Sequence, residues 1–305
     1  MKIEETHINN LIPKAQEFLA KNDIERIIFI QEEKWVTYPS AKNVLDKLEL
    51  LLHHPPKSRM PGLLIVGETN NGKTSIIKRF AKLNKDFKDP EKFEATQKPV
   101  ILVQAPPSPD LSYLFTNILE QFAAPFKNSD KTQKKEMMIK NYISVAGTRI
   151  IIIDEIHNIL SGATAKQKQF MNGLKNLSND LNICIILSGI KDALHATNTD
   201  PQINNRFKPI FLSKWKLDRD FLSFLASLEK VIPLKKASNL HKTKELAYKI
   251  FDLSEGYIGE MVDLINTASI YSIQTKSEKI TLKEIKECGF IKPSMRKSFD
   301  DLVDL

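Results

Sequence analysis

Only two cysteines, Cys184 and Cys288, occur in the 305 residues. Two thiols build no disulfide framework, and neither has a metal-ligating neighbour in sequence. Cys184 falls inside the apolar run NICIILSG, where a thiol acts as a small hydrophobe. The six histidines are scattered and form no HExxH pattern; His53 and His54 precede two prolines and read as part of a linker. No stretch approaches the ~20 consecutive apolar residues that a membrane-spanning helix needs. The opening MKIEETHINN carries acids and lacks the apolar run of a secretory signal. A cytoplasmic, reducing location is therefore expected, with no membrane partner. Internal repeats, low-complexity tracts and zinc fingers or other base-reading modules are also missing.

What is present is an ordinary apolar content, 42%, and a formal net charge of +8 with a pI near 9.2. The first is enough to bury a core. The second suits either a solvated basic surface or contact with a polyanion.

The chain changes character twice. Up to residue 54 it reads as a helical extension: LIPKAQEFLAKN and AKNVLDKLELLL have apolar spacing near 3.6, with Ser40 as a candidate cap. HHPPKSRMPG then breaks the helix. Over 55–215, the runs GLLIVG, PVILVQA, RIIIIDE and NICIILSG alternate with amphipathic stretches, and KPIFLSKW follows. Continuous apolar runs imply strands buried on both faces. Their alternation with helices implies an α/β parallel five-stranded sheet flanked by helices. Over 216–290, four helices are expected in succession, in DRDFLSFLASLEKVIP, TKELAYKIFDLSEG, IGEMVDLINTASIYSIQT and TLKEIKECG. A loosely ordered tail is expected over 291–305.

The chemistry concentrates in GETNNGKTS, residues Gly67, Glu68, Thr69, Asn70, Asn71, Gly72, Lys73, Thr74 and Ser75. Its glycines let backbone N–H groups turn toward phosphates, and the helix that follows adds its positive end. Lys73 supplies charge for the β- and γ-phosphates of a nucleotide such as ATP, and Thr74 offers a hydroxyl to Mg²⁺. A second apolar strand ends in Asp154-Glu155. Asp154 is placed to hold Mg²⁺, and Glu155 to polarise the water that attacks the γ-phosphate. Such a carboxylate pair suits a hydrolase rather than a kinase. Ser188 ends the strand NICIILSG, where it either reports on the γ-phosphate or serves as a turn residue. Arg206 precedes the fifth strand, and local sequence alone reads it as a surface arginine paired with an acid.

Together these motifs resemble an AAA+ ATPase with a helical lid. RMPGLLIVGETNNGKT, PVILVQAPPSPD, IIIIDEIHNILSG, TDPQINNRF, SLEKVIPL and SEGYIGEMVDLI narrow the resemblance to the TniB family of transposition proteins, relatives of TnsC, over about residues 35–285. The resemblance implies an ATP-dependent regulator of DNA transposition. Such proteins assemble as rings or helical filaments on target DNA when ATP is bound, and they connect a TniQ-type partner to a TniA/TnsB-like DDE transposase. It implies that Lys73 and Thr74 bind ATP and Mg²⁺, that Asp154 and Glu155 run hydrolysis, and that Arg206 reaches a neighbour's γ-phosphate in trans. It also implies that Trp35 and Tyr38, in KWVTYPSA, lie near the adenine. One departure stands out. Where many AAA+ lids carry an arginine, EGYIGEM has Gly259 and Glu260, which fits a slow, switch-like ATPase stimulated by DNA or partners.

By the same resemblance, a basic inner surface contacts double-stranded DNA without reading its sequence. The candidates are Lys127, Lys131, Lys134 and Lys135 in KNSDKTQKK, and Lys166 and Lys168 in TAKQKQF. Two other uses share the core motifs: a replication-initiator or helicase-loader ATPase, and a scaffold that binds ATP without hydrolysing it.

Overall fold

The computed structural model describes residues 5–197 and 201–296. They divide into two compact units: one formed by the described residues within 40–213, the other by those within 1–39 and 214–305. The tail expected over 291–305 lies outside the described residues from position 297 onward.

The first unit is built on five parallel strands: β1 (Gly62–Gly67), β2 (Val100–Gln104), β3 (Ile150–Asp154), β4 (Cys184–Gly189) and β5 (Phe207–Leu212), in the spatial order β2-β3-β4-β1-β5. Every residue of β1, β3 and β4 is buried. That is what continuous apolar runs require when helices cover both faces of a sheet. The edge strand β5 is only half buried, with Lys208, Pro209 and Phe211 exposed while Phe207, Ile210 and Leu212 are buried. A helix at Leu111–Glu120 and another at Thr164–Leu181 pack Leu114, Phe115, Ile118, Phe170, Met171 and Leu174 onto the sheet core. The strand order places β1 between β4 and β5, so the loop leaving β1 emerges beside the ends of β4 and β5. Asp154 at the end of β3 stands one strand further away.

The Pro39–Leu52 helix belongs with this unit from Ser40 onward and buries Ala41, Val44, Leu48 and Leu52. Its first residue is Pro39, not a Ser40 cap, because proline's fixed φ suits the first helical position. Two bonds tie its end to the sheet: the Arg149 guanidinium donates to His54 O at 2.6 Å, and the Cys184 thiol to Leu51 O at 3.5 Å.

The second unit is helical. After β5 come the four expected helices, at Arg219–Glu229, Lys244–Ser254, Ile258–Gln274 and Leu282–Glu287. The N-terminal helices Pro13–Leu19 and Asp23–Gln31 join them. The second of these is closed by a capping box between Asn22 and Glu25. Arg26, fully buried, makes the principal link. It pairs with Glu278 through both terminal nitrogens and donates from Nε to Pro233 O at 3.0 Å. Glu278 itself has φ +60° and is 2% exposed. Glu260, at the lid position that lacks arginine, is held by both Arg296 nitrogens at 3.1 and 2.7 Å.

Candidate nucleotide site

The site assembles at the carboxyl ends of β1, β3 and β4, where an open α/β sheet presents its loops. The loop after β1 turns through Asn70 at φ 59° and Gly72 at φ 81°, and the Lys73–Leu83 helix starts at once. At Gly72 a side chain would be strained, and this turn aims the first N–H groups of the helix into the loop's concavity. Asn71 anchors the loop from below: 3% exposed, its amide donates to Leu212 O at 2.7 Å and Ser213 O at 3.2 Å. Glu68 pairs with Lys191 at 3.0 Å, while Thr69, Asn70 and Ser75 are exposed.

The Lys73 ammonium is buried and curls over the loop, donating to Gly67 O at 3.0 Å and Glu68 O at 2.9 Å. Burial lowers its pKa, and the charges of Glu155, Asp154 and Glu68 oppose that shift without cancelling it. A cation under this desolvation gains by meeting a polyanion. Thr74 Oγ1 donates to Asp154 Oδ2 at 2.7 Å, so the hydroxyl and the carboxylate that would share Mg²⁺ already touch. Asp154 Oδ1 in turn accepts from the Glu155 N–H at 2.9 Å. A buried ammonium, helix N–H groups and a hydroxyl–carboxylate pair form the donor set that a nucleoside triphosphate with a hard divalent cation requires.

Glu155 adopts the left-handed conformation, φ 56° and ψ 38°, and a 3₁₀ turn over Ile156–Ser161 follows. His157, which the motif reading passes over, comes back beside it, with Nε2 3.2 Å from Glu155 Oε2. The signal is present in DEIH: an imidazole two residues after the second acid of the pair. Ser188 is fully buried beside Ile65 of β1, and its hydroxyl has no partner. A buried hydroxyl without a protein partner fits a ligand contact better than a turn residue, which would satisfy it locally.

Arg206 is bonded within its own chain. It is 5% exposed, donates from Nη1 to Lys175 O at 3.1 Å, and bonds Asn179 Oδ1 through Nη2. Burial, with Arg59's charge nearby, lowers its pKa. These bonds brace it against the Thr164–Leu181 helix. Residues 198–200 of TDPQINNRF lie outside the described residues. Lys135 is no DNA contact: 3% exposed, its ammonium donates to Ser112 Oγ, Thr116 Oγ1 and Asn128 O at 3.1, 2.9 and 3.3 Å. Lys127, Lys131, Lys134, Lys166 and Lys168 are exposed, Lys134 pairing with Asp130 at 2.7 Å. Trp35 and Tyr38 belong to the helical unit. Tyr38 is buried there against Trp215 and Phe224, and burial raises its hydroxyl to about 12; the Trp35 indole donates to Thr37 at 3.0 Å. Among the described residues, no helix is long and apolar enough to cross a membrane, and no group of three or more His, Cys, Asp or Glu could hold a metal ion.

Comparison with solved structures gives the fold an independent frame. The ORC2 protein of Aeropyrum pernix, solved in ADPNP–ADP complexes, aligns at TM-score 0.63 and 16% identity over 85% of this chain and 70% of that one. Cdc6p of Pyrobaculum aerophilum aligns at 0.62 and 14% over 86% and 69%. The A. pernix ORC1 protein in complex with DNA aligns at 0.57 and 11% over 86% and 68%. These likenesses establish a P-loop AAA+ fold. No curated protein sequence matches. The family model described as bacterial TniB protein matches residues 26–217.

Proposed function

This chain belongs to the TniB family, and from that premise we propose that it is an ATP-dependent regulator of DNA transposition. It assembles on target duplex DNA with ATP bound and leaves as ATP is hydrolysed. The observation that carries the reading is the contact of Thr74 with Asp154 at 2.7 Å, beside the buried Lys73 and next to Glu155. A scaffold that only held the fold together would not need a desolvated ammonium and an acid pair aimed at one loop.

ATP with Mg²⁺ supplies a phosphoanhydride whose cleavage releases the γ-phosphate. Lys73 and the first N–H groups of its helix hold the phosphates. Thr74 and Asp154 would hold the cation, Asp154 keeping the Thr74 hydroxyl oriented. Glu155 accepts a proton from the attacking water, and Ser188 donates to a γ-phosphate oxygen. Release of that oxygen from its donors is the event that loosens the assembly.

DNA is held through phosphates by exposed lysines, among them Lys127, Lys131, Lys134, Lys166 and Lys168, so binding is salt-sensitive and indifferent to sequence. The ORC1 structure contains DNA, which supports duplex binding as a use of this fold. Site choice falls to a TniQ-type partner and strand transfer to a DDE transposase. The fold likeness to ORC and Cdc6 proteins keeps a helicase-loading role as the second reading. Phosphate release and duplex binding, measured with ATP and with a non-hydrolysable analogue, test the proposal. It expects tight binding with the analogue, weaker binding with ADP, and stimulation of a DDE transposase. Co-purification with a replicative helicase and no effect on a transposase would favour the loader.

A further inference from the structure

Two basic groups act on Glu155. Its charge acts on the Lys73 ammonium, which bonds the loop carbonyls of Gly67 and Glu68. The His157 imidazole is in direct contact, with Nε2 3.2 Å from Oε2. A general base attracted only to Lys73 would lean toward the phosphate-binding cation and away from water. Glutamate also has a flexible side chain, and this one is 36% exposed. Its aim is therefore not fixed by packing.

The ring of His157 is better fixed. Glu155 in the left-handed region sends the chain into the Ile156–Ser161 turn, which returns residue 157 to the side of residue 155. The far edge of the ring lies against the end of β4. A Cβ added to Gly189 would stand 3.3 Å from Nδ1 and 2.9 Å from the Ala193 Cβ, so only glycine leaves this space free. His157 Nδ1 is buried there without a partner, and so is the hydroxyl of the adjacent Ser188. A histidine kept for packing satisfies its buried nitrogens. Here one nitrogen goes unsatisfied while the other faces the acid that activates water.

We propose that His157 is the positioning residue for Glu155: its Nε2–H restrains the carboxylate in the orientation that activates water, and the ring ties that orientation to the end of β4 where Ser188 sits. Ser188 and Glu155 then move together, so the γ-phosphate contact and the base are set by one rigid element. This inference rests on the ATPase reading above.

The test compares ATP turnover on duplex DNA for wild type, His157→Ala and His157→Gln, with affinity for a fluorescent ATP analogue measured in parallel. The glutamine amide donates from nearly the place of Nε2. His157→Ala should lower kcat by about ten- to hundredfold, the range for partners that orient a catalytic group, with KM and analogue affinity essentially unchanged. His157→Gln should recover most of that loss. Retained analogue affinity shows that the variants are folded. Unchanged kcat in His157→Ala overturns the proposal, as does a loss of analogue affinity that parallels kcat, or a glutamine variant as slow as the alanine one. A wild type that binds ATP but does not turn it over overturns the ATPase reading and this inference with it; turnover equal in all three proteins overturns this inference alone.

Discussion

Thr74 Oγ1 donates to Asp154 Oδ2 at 2.7 Å, joining two residues 80 positions apart, one in the first turn of the Lys73–Leu83 helix and the other at the end of β3. Thr74→Ala removes the hydroxyl proposed to ligate Mg²⁺ and leaves the carboxylate without its donor. A hydrogen bond to a charged group contributes about 1.5–3 kcal/mol, which corresponds to roughly ten- to hundredfold in Kd. Titration of a fluorescent ATP analogue should show that loss with Mg²⁺ present and little of it in EDTA. An equal loss in both would assign Thr74 to the loop's shape instead of the cation.

Arg26 and Glu278 predict how the helical unit responds to mutation and acid. Burial raises the Glu278 carboxyl, but the Arg26 bonds and charge, aided by Lys235, outweigh burial and hold it below the usual glutamate range. A folded pKa below the unfolded one means stability that is present above the unfolded value, about 4.3 for glutamate, and lost as pH falls through the folded value. Arg26→Ala leaves a buried carboxylate alone and should cost about 3–5 kcal/mol at pH 7 by urea denaturation. Glu278→Gln should flatten the loss of stability with acid. An unchanged acid slope in Glu278→Gln would show that other carboxylates set it.

Arg206 should behave as a structural residue. Its bonds to Lys175 O and Asn179 Oδ1 brace the start of β5 against the Thr164–Leu181 helix. Arg206→Ala and Arg206→Lys should each lower unfolding free energy by about 1.5–3 kcal/mol, since one ammonium does not reproduce the fork. Stability equal to wild type, combined with failed assembly, would restore the role in trans.

The lysines divide in the same way. Lys135→Ala should destabilise the fold by about 1–3 kcal/mol and leave the salt dependence of DNA binding unchanged. Replacing Lys166 and Lys168 together should weaken DNA binding and reduce the slope of log K against log salt by about 0.9 for each phosphate that is no longer neutralised. An unaltered slope would move the DNA surface elsewhere.

The sheet was readable because its strands are buried on both faces: GLLIVG, PVILVQA, RIIIIDE and NICIILSG leave no other solution between helices. The phosphate loop and acid pair were readable because their chemistry requires fixed residue types at fixed spacing. Long-range partners were not. Arg26 meets Glu278 across 252 residues, and no local periodicity encodes that pairing or the union of the N-terminal helices with the C-terminal ones. Arg206 looked like a surface arginine because its acceptors are a main-chain carbonyl and an asparagine, neither of which leaves a charge pattern. Lys135 misled by composition, although it shares a helical face with the buried Ile139 and Ile143 at i+4 and i+8, a spacing that marks it as inward-facing.

The central claim is that ATP at Lys73, Thr74 and Asp154 holds the protein on DNA and that Glu155 ends the hold. The lifetime of the complex on duplex DNA, followed by fluorescence in ATP with Mg²⁺, tests this directly for wild type and Glu155→Gln. The account predicts that wild-type complexes decay as ATP is consumed while Glu155→Gln complexes persist. Equal lifetimes for the two proteins would contradict it.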